Sequence, residues 1–211
     1  MGATYLGGSV MVIWNAEDKQ RIKEGIRKKY AQVASTPEGS FRYPTGRAGL
    51  EGLHYDRRAI SALPSEVTAF YCGVGNPFAL GPIHQGEAVL DAGCGGGVDT
   101  LLAAMMVGPE GIAVGIDLTP EMVGRAKENL AQTALENVSF RQSSLDDMPF
   151  ADASFDVVIS NGAFNLVPEK ARALEEIHRV LKPGGRLMMA DQILTGDLPE
   201  DKRARIAKWA A

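Results

Sequence analysis

A chain of 211 residues with 45% hydrophobic and 23% charged side chains suits one globular domain with extra material at an end, and has the apolar content for a real core. Its formal net charge of −4, from 22 basic and 26 acidic residues, argues against a nucleic-acid partner, since phosphate binding runs on Lys and Arg. Two cysteines, Cys72 and Cys94, are too few for a disulfide framework and lack metal-ligand spacing; with no apolar run near the ~18 residues that cross a bilayer, the expectation is a cytoplasmic protein with no metal and no membrane partner.

In chain order, residues 1–16 carry only a short apolar patch and no basic leader, which predicts a disordered extension rather than a signal peptide. Residues 17–34 space Ile22, Ile26, Tyr30 and Val33 as one stripe of an amphipathic helix, ended by Pro37. The basic residues Arg21, Lys23, Arg27, Lys28 and Lys29 interleave with acids there and read as a solvated face. Between about 35 and 85 the chain is rich in Gly, Pro and turn residues, with one short helix expected at 64–71. Residues 17–85 thus form a helical cap wrapped onto the carboxyl-terminal part of the chain.

Residues 86–211 change character. Short apolar runs at 88–93, 111–117, 138–142, 155–161 and 186–193 alternate with helical patterns through Leu101 and Ala104, over 119–134 and over 168–181. Thr119-Pro120 starts one helix, and Lys182-Pro183-Gly184-Gly185 stops another. Strict alternation of strand and helix implies an α/β fold: a doubly wound, mostly parallel sheet with helices on both faces. After the fifth strand one more helical pattern, GDLPEDKRARIAKWAA, completes the sequence.

Ligands of such sheets sit outside the carboxyl ends of the strands. The first strand ends in VLDAGCGGG, where glycines permit a tight bend and close backbone approach, and the next helix offers free N–H groups. The dinucleotide fingerprint fails here, because Val98 stands where its third glycine belongs. The pattern D-x-G-x-G-x-G fits Asp91, Gly93, Gly95 and Gly97 in full, and resembles the motif of the class I S-adenosylmethionine-dependent methyltransferases.

That resemblance, covering roughly residues 70–195, implies a Rossmann-like fold and S-adenosylmethionine as cofactor, with S-adenosylhomocysteine as product. Asp117, followed by Leu118 at the end of the second strand, would accept the ribose hydroxyls; Leu145 and Asp146 in SSLDDMPF would lie beside the adenine; Asn161 would follow the fourth strand. The cap helix with Tyr30, Tyr71 and Gly73 would close over the methionine end. Plainer readings stay open: Asp91 as a helix cap, Asp117 and Asn161 as turn residues, Asp146 as solvated surface beside Asp147, and Tyr30 as core.

Within the class, CGVGNPFALG, GIDLTPEMV and ISNGAFNLVPEK resemble arsenite methyltransferases. In that family cysteines would stand at Val74 and Gly162, whose side chains offer no ligand to thiophilic arsenic, so the resemblance implies the fold and cofactor but not the arsenic substrate. A small-molecule acceptor is expected. DNA is not, since Asn161-Gly162-Ala163-Phe164 replaces the motif of the amino-methylating DNA enzymes. The implied chemistry is direct displacement, with Asp191 the best-placed carboxylate if a base is needed; His54, His84 and His178 offer little. Strands six and seven of the fold have no counterpart, which predicts a chain truncated at its carboxyl end and a fifth strand whose edge is covered by the terminal helix or by a homodimer. The alternative function is an S-adenosylmethionine-binding protein without catalysis.

Overall fold

Apolar runs buried on both faces satisfy their backbone groups by lying side by side. The computed structural model describes residues 5–6, 9–10, 14–193 and 201–209. Its elements in order are β1 (Tyr5–Leu6), β2 (Ser9–Val10), α1 (Ala16–Val33), α2 (Gly46–Gly52), α3 (Arg57–Ala62), α4 (Ser65–Thr68), β3 (Ala88–Ala92), α5 (Val98–Val107), β4 (Ile112–Asp117), α6 (Pro120–Leu130), β5 (Val138–Gln142), β6 (Phe155–Asn161), α7 (Lys170–Val180), β7 (Leu181–Ala190) and α8 (Lys202–Lys208). β1 and β2 pair antiparallel. The other strands form a five-stranded sheet in the order β5-β4-β3-β6-β7, with every pair parallel. The winding reverses between β3 and β6, so the crevice opens at the carboxyl ends of the central strands.

Alternation along each strand divides the core. Val89, Ala113, Val157 and Ile159 meet Ala103, Ala104 and Val107 of α5. Their neighbours Leu90, Val114, Ile116 and Val158 meet Ala173, Ile177 and Val180 of α7 on the other face. α1 begins on a capping box: Asn15 Oδ1 accepts from the Asp18 amide at 2.8 Å, and Asp18 Oδ2 accepts from the Asn15 amide at 2.9 Å. The remainder of the expected 1–16 extension lies largely outside the described residues.

Three expectations need correction. The segment 35–85 holds three helices rather than one. α2 and α3, of seven and six residues, are too short to persist alone; Leu50 and Ile60, fully buried, join Val98, Leu101 and Leu102 in a shared cluster. The last strand spans 181–190 rather than 186–193: Leu181 pairs opposite Phe155 and the next partners are Val157 and Arg186, so Lys182–Gly185 bulges within the strand instead of preceding it. The bulge sits over a charged staple, where Asp156 accepts from the Ala88 amide and from Lys182, each at 2.8 Å, and Arg186 spans both oxygens of Glu87 at 2.8 Å.

The third concerns one of the two covers expected for the edge of the sheet, the terminal helix. α8 packs against α1 rather than along β7: Trp209 meets Trp14 edge-on at 5.3 Å and donates Nε1–H to the Leu166 carbonyl at 2.8 Å, while Lys202 pairs with Asp18. A 3-10 turn, Pro77–Leu80, brings Phe78 into the cluster that buries Met188 of β7. Among the described residues no strand follows β7.

Candidate functional site

β3 delivers its chain into a bend at Gly93, whose φ of +88° favours glycine. A Cβ there would overlap the Ala163 methyl group. The amides of Gly93 and Cys94 both donate to the Ile116 carbonyl at 2.9 Å, tying the bend to the end of β4. Beyond it lies a cavity of about 690 Å³, counting its open mouth, walled by Gly93, Gly95, Asp117, Leu118, Leu145 and Tyr30 among others. A smaller chamber of about 330 Å³ adjoins it, shares Cys72, Gly93, Gly95 and Asn161, and adds Tyr71, Gly73, Asp91 and Asp99. Gly97 belongs to neither; it caps α5, and a Cβ on it would stand 2.7 Å from Phe140 Cζ, so its smallness serves packing.

Asp117 is fixed from two sides. Its Oδ2 accepts from the Gly95 amide and its Oδ1 from the Thr119 amide, both at 2.9 Å. Burial lifts its pKa above the usual carboxylate value against the pull of those amides. A carboxylate has about four acceptor positions, so two remain after the amides are served.

The loop after β5 carries Leu145 and Asp146, and α7 holds it in place. Glu176 accepts from the Met148 amide at 2.8 Å, and Arg179 donates to the Met148 and Phe150 carbonyls at 3.0 and 2.7 Å. Leu145 reaches the cavity wall. The carboxylate of Asp146 is instead gripped by Lys23 Nζ at 2.8 and 3.0 Å and by the Ser144 hydroxyl. Burial works to raise its pKa, but these partners outweigh that and hold it below the usual value. Asp146 is not among the cavity-lining residues, whereas Lys23 is. Lys23 therefore departs from the solvated face expected for it, because the α1 stripe that buries Ile26 turns its ammonium inward.

A polar knot ties the cap to the sheet. Asn161, at the end of β6, accepts with Oδ1 from the amides of Val74 and Gly75 at 2.9 and 3.1 Å. Its Nδ2 lies within reach of Asp99 Oδ2 and the Gly75 carbonyl at 2.9 Å, and of the Tyr55 and Tyr71 hydroxyls at 3.1 Å. Tyr55 donates to Asp99 Oδ1 at 2.8 Å. Asp91 accepts from the Thr100 hydroxyl at 2.6 Å. Burial, then the neighbouring Asp99, raises Asp91 well above the usual range, and burial lifts Asp99 to about 6 against its Asn161 and Tyr55 hydrogen bonds. Asp99, which lines the smaller chamber, is a site residue that the sequence does not signal, because its partners Tyr55 and Asn161 stand tens of residues away. Asn161→Ala would strand the two amides and one oxygen of Asp99, with an expected loss of about 3–5 kcal/mol of stability. A denaturant titration showing a loss below about 1 kcal/mol would make the knot dispensable.

Tyr30 and Cys72 line the main cavity, and burial leads the causes raising both; the Cys72 thiol is pushed up to about 12, so neither is a base at neutral pH. Asp191, the carboxylate expected as a base, is half-buried, and burial raises its pKa. Its oxygens accept from the amides of Asn165 and Gln192 at 2.8 and 2.7 Å, capping the turn after β6, and it does not line the cavity. His54, His84 and His178 are exposed. Val74 and Gly162 meet in space: a Cβ on Gly162 would lie 3.2 Å from Val74 Cγ1. Cys94 is 8% exposed and faces both the core and the smaller chamber.

Known proteins are similar to this chain in sequence and fold. A family described as a methyltransferase domain matches residues 83–211. Arsenite methyltransferase of Halobacterium salinarum is 38% identical over 198 residues, which are 87% of this chain and 50% of that protein. Demethylmenaquinone methyltransferase of Listeria monocytogenes is 35% identical over 109 residues, 52% of this chain and 46% of that protein. Among solved structures, an arsenic(III) S-adenosylmethionine methyltransferase from Chlamydomonas reinhardtii superposes with a TM-score of 0.59 at 38% identity, over 64% of this chain and 48% of that one. The chain spans about half the length of the curated relatives it matches.

Proposed function

The chain belongs to the methyltransferase-domain family, and on that premise we propose that it moves the methyl group of S-adenosylmethionine to a small, apolar acceptor, releasing S-adenosylhomocysteine. The observation that carries this reading is that one cavity joins a backbone bend free of side chains, at Gly93 and Gly95, to the doubly anchored carboxylate of Asp117. The residues fit the cofactor. The bend leaves room for the aminoacyl tail, whose ammonium suits the chamber of Asp91 and Asp99. Asp117 has acceptor capacity for the ribose diol, and Leu118 and Leu145 give the base an apolar wall.

When bound, the cofactor supplies a methyl group already activated by the sulfonium charge. The protein's own work is alignment and exclusion of water. Tyr30, Ile26 and Val167 close the cavity with largely apolar surface, and Asn161 fixes the Val74–Gly75 segment beside Gly162. Because Val74 and Gly162 present no thiol, the arsenite of the relatives is not carried over to this chain. Association as a homodimer across the outer edge of β7 belongs to the same proposal, supported by the position of β7 at the end of the sheet. A cytoplasmic setting is supported by the unpaired state of both cysteines.

Calorimetric titration tests the reading. S-adenosylmethionine and S-adenosylhomocysteine are expected to bind one per chain, and NAD not at all. Binding of NAD alone, or of none of the three, would overturn it. Binding of the first two without methyl transfer to any apolar acceptor would reduce the protein to a cofactor-binding module.

A further inference from the structure

Helix α1 lies outside the matched family segment, yet it supplies part of the cavity wall through Lys23, Ile26 and Tyr30. Three and four residues apart, these share one helical face. Lys23 stands at the end where Ser144 and Leu145 form the wall. Its side chain is 25% exposed and that of Asp146 is 8% exposed, so the carboxylate lies deeper and the ammonium covers it.

This exchange alters what a ligand meets. A carboxylate wall accepts hydrogen bonds from an exocyclic amine, whereas an ammonium wall donates them. Lys23 directs at most two of its three N–H groups to the Asp146 oxygens. One remains for the cavity, and the ring nitrogens of a purine are acceptors. The paired carboxylate offsets the cost of holding a cation in a half-buried wall.

Building on the methyltransferase reading, we infer that Lys23 reads the adenine ring of the bound nucleoside by donating to a ring nitrogen, in the place that the sequence pattern reserves for Asp146 as an acceptor. Asp146 then acts through Lys23, as its counter-ion and positioning residue.

A simple structural role for Lys23, holding α1 down, has a built-in control. Lys19 on the same helix pairs with Glu169 at 2.5 Å but does not line the cavity. The test is calorimetric titration of the full chain with S-adenosylhomocysteine and with 5′-methylthioadenosine, which carries the same base without the aminoacyl tail. Lys23→Met is expected to weaken both by the same factor, about tenfold, the loss of one charge-assisted hydrogen bond. Lys23→Arg, which keeps a cationic donor, should remain within about threefold of wild type, and Lys19→Met within about twofold. Thermal melts establish that each variant is folded. If the methionine variant fails to fold, Lys23→Gln keeps a neutral donor and should show a smaller loss, still equal for the two ligands.

The inference is overturned if Lys23→Met binds as wild type does, if Lys19→Met loses as much, or if the loss is confined to S-adenosylhomocysteine. A wild-type chain that binds neither ligand defeats the underlying reading instead, so the two failures are distinguishable.

Discussion

Replacing Asp117 with alanine is expected to weaken S-adenosylhomocysteine binding by about a hundredfold or more, at two charge-assisted hydrogen bonds of ~1.5–3 kcal/mol each. The carboxylate enters that role already oriented, since the Gly95 and Thr119 amides hold one oxygen each. A ribose diol therefore meets a group that loses no rotamer freedom on binding. Asp117→Asn keeps one acceptor oxygen and should fall between wild type and alanine. The alanine variant also frees the two amides, so its thermal midpoint without ligand should drop modestly. What isolates the diol contact is the lost stabilisation by added ligand, read in the same melts. An alanine variant that binds S-adenosylhomocysteine as tightly as wild type contradicts the assignment.

The second large effect is a gain. In Val74→Cys/Gly162→Cys the new thiols would face each other, because Val74 Cβ lies 3.9 Å from the place a Cβ on Gly162 would take. That separation falls within the ~3.5–4.5 Å of natural disulfides. Mild oxidation is expected to close the pair, leaving two of four thiols titratable: Cys72 and Cys94, neither of which is bonded in the parent. Cysteine at position 162 must accept a φ of +69°, at a cost of about 1–2 kcal/mol. Under reducing conditions the same pair should capture phenylarsine oxide one to one, where the parent does not, because vicinal thiolates chelate trivalent arsenic. Four free thiols after oxidation would mean that the segment carrying Val74 does not rest against the end of β6.

How far the sequence reveals this molecule depends on where each residue finds its partners. The runs 138–142 and 155–161 become β5 and β6 at those same bounds: β6 is a buried, largely apolar central strand, and β5, at the sheet edge, alternates Val138 and Phe140 with the polar Ser139 and Arg141. α2 and α3 are not legible. Six or seven residues carry too little periodicity, and their stability comes from Leu50 and Ile60 entering a core built by α5. Pro183 and Gly184 signal a stop locally, yet Leu181 already pairs with Phe155, since the sheet supplies a ladder that local propensity cannot report. The candidate site divides in the same way. Gly93, Gly95 and Asp117 stand out by spacing within one strand–helix–strand unit, and the structure gathers them in one cavity. Lys23 and Asp99 do not stand out, because each is defined by partners 44 to 123 residues away.

The central strands perform two separate duties at their two ends. The Asp156–Lys182 and Arg186–Glu87 pairs fasten the amino-terminal ends, while ligand chemistry is confined to the carboxyl-terminal ends. A five-residue strand such as β3 separates the two by roughly 16 Å, at ~3.3 Å per residue. A fluorophore or surface tether joined to the exposed bulge at Gly184 would thus anchor the protein with the mouth of its cavity facing outward, well suited to surface-based binding assays.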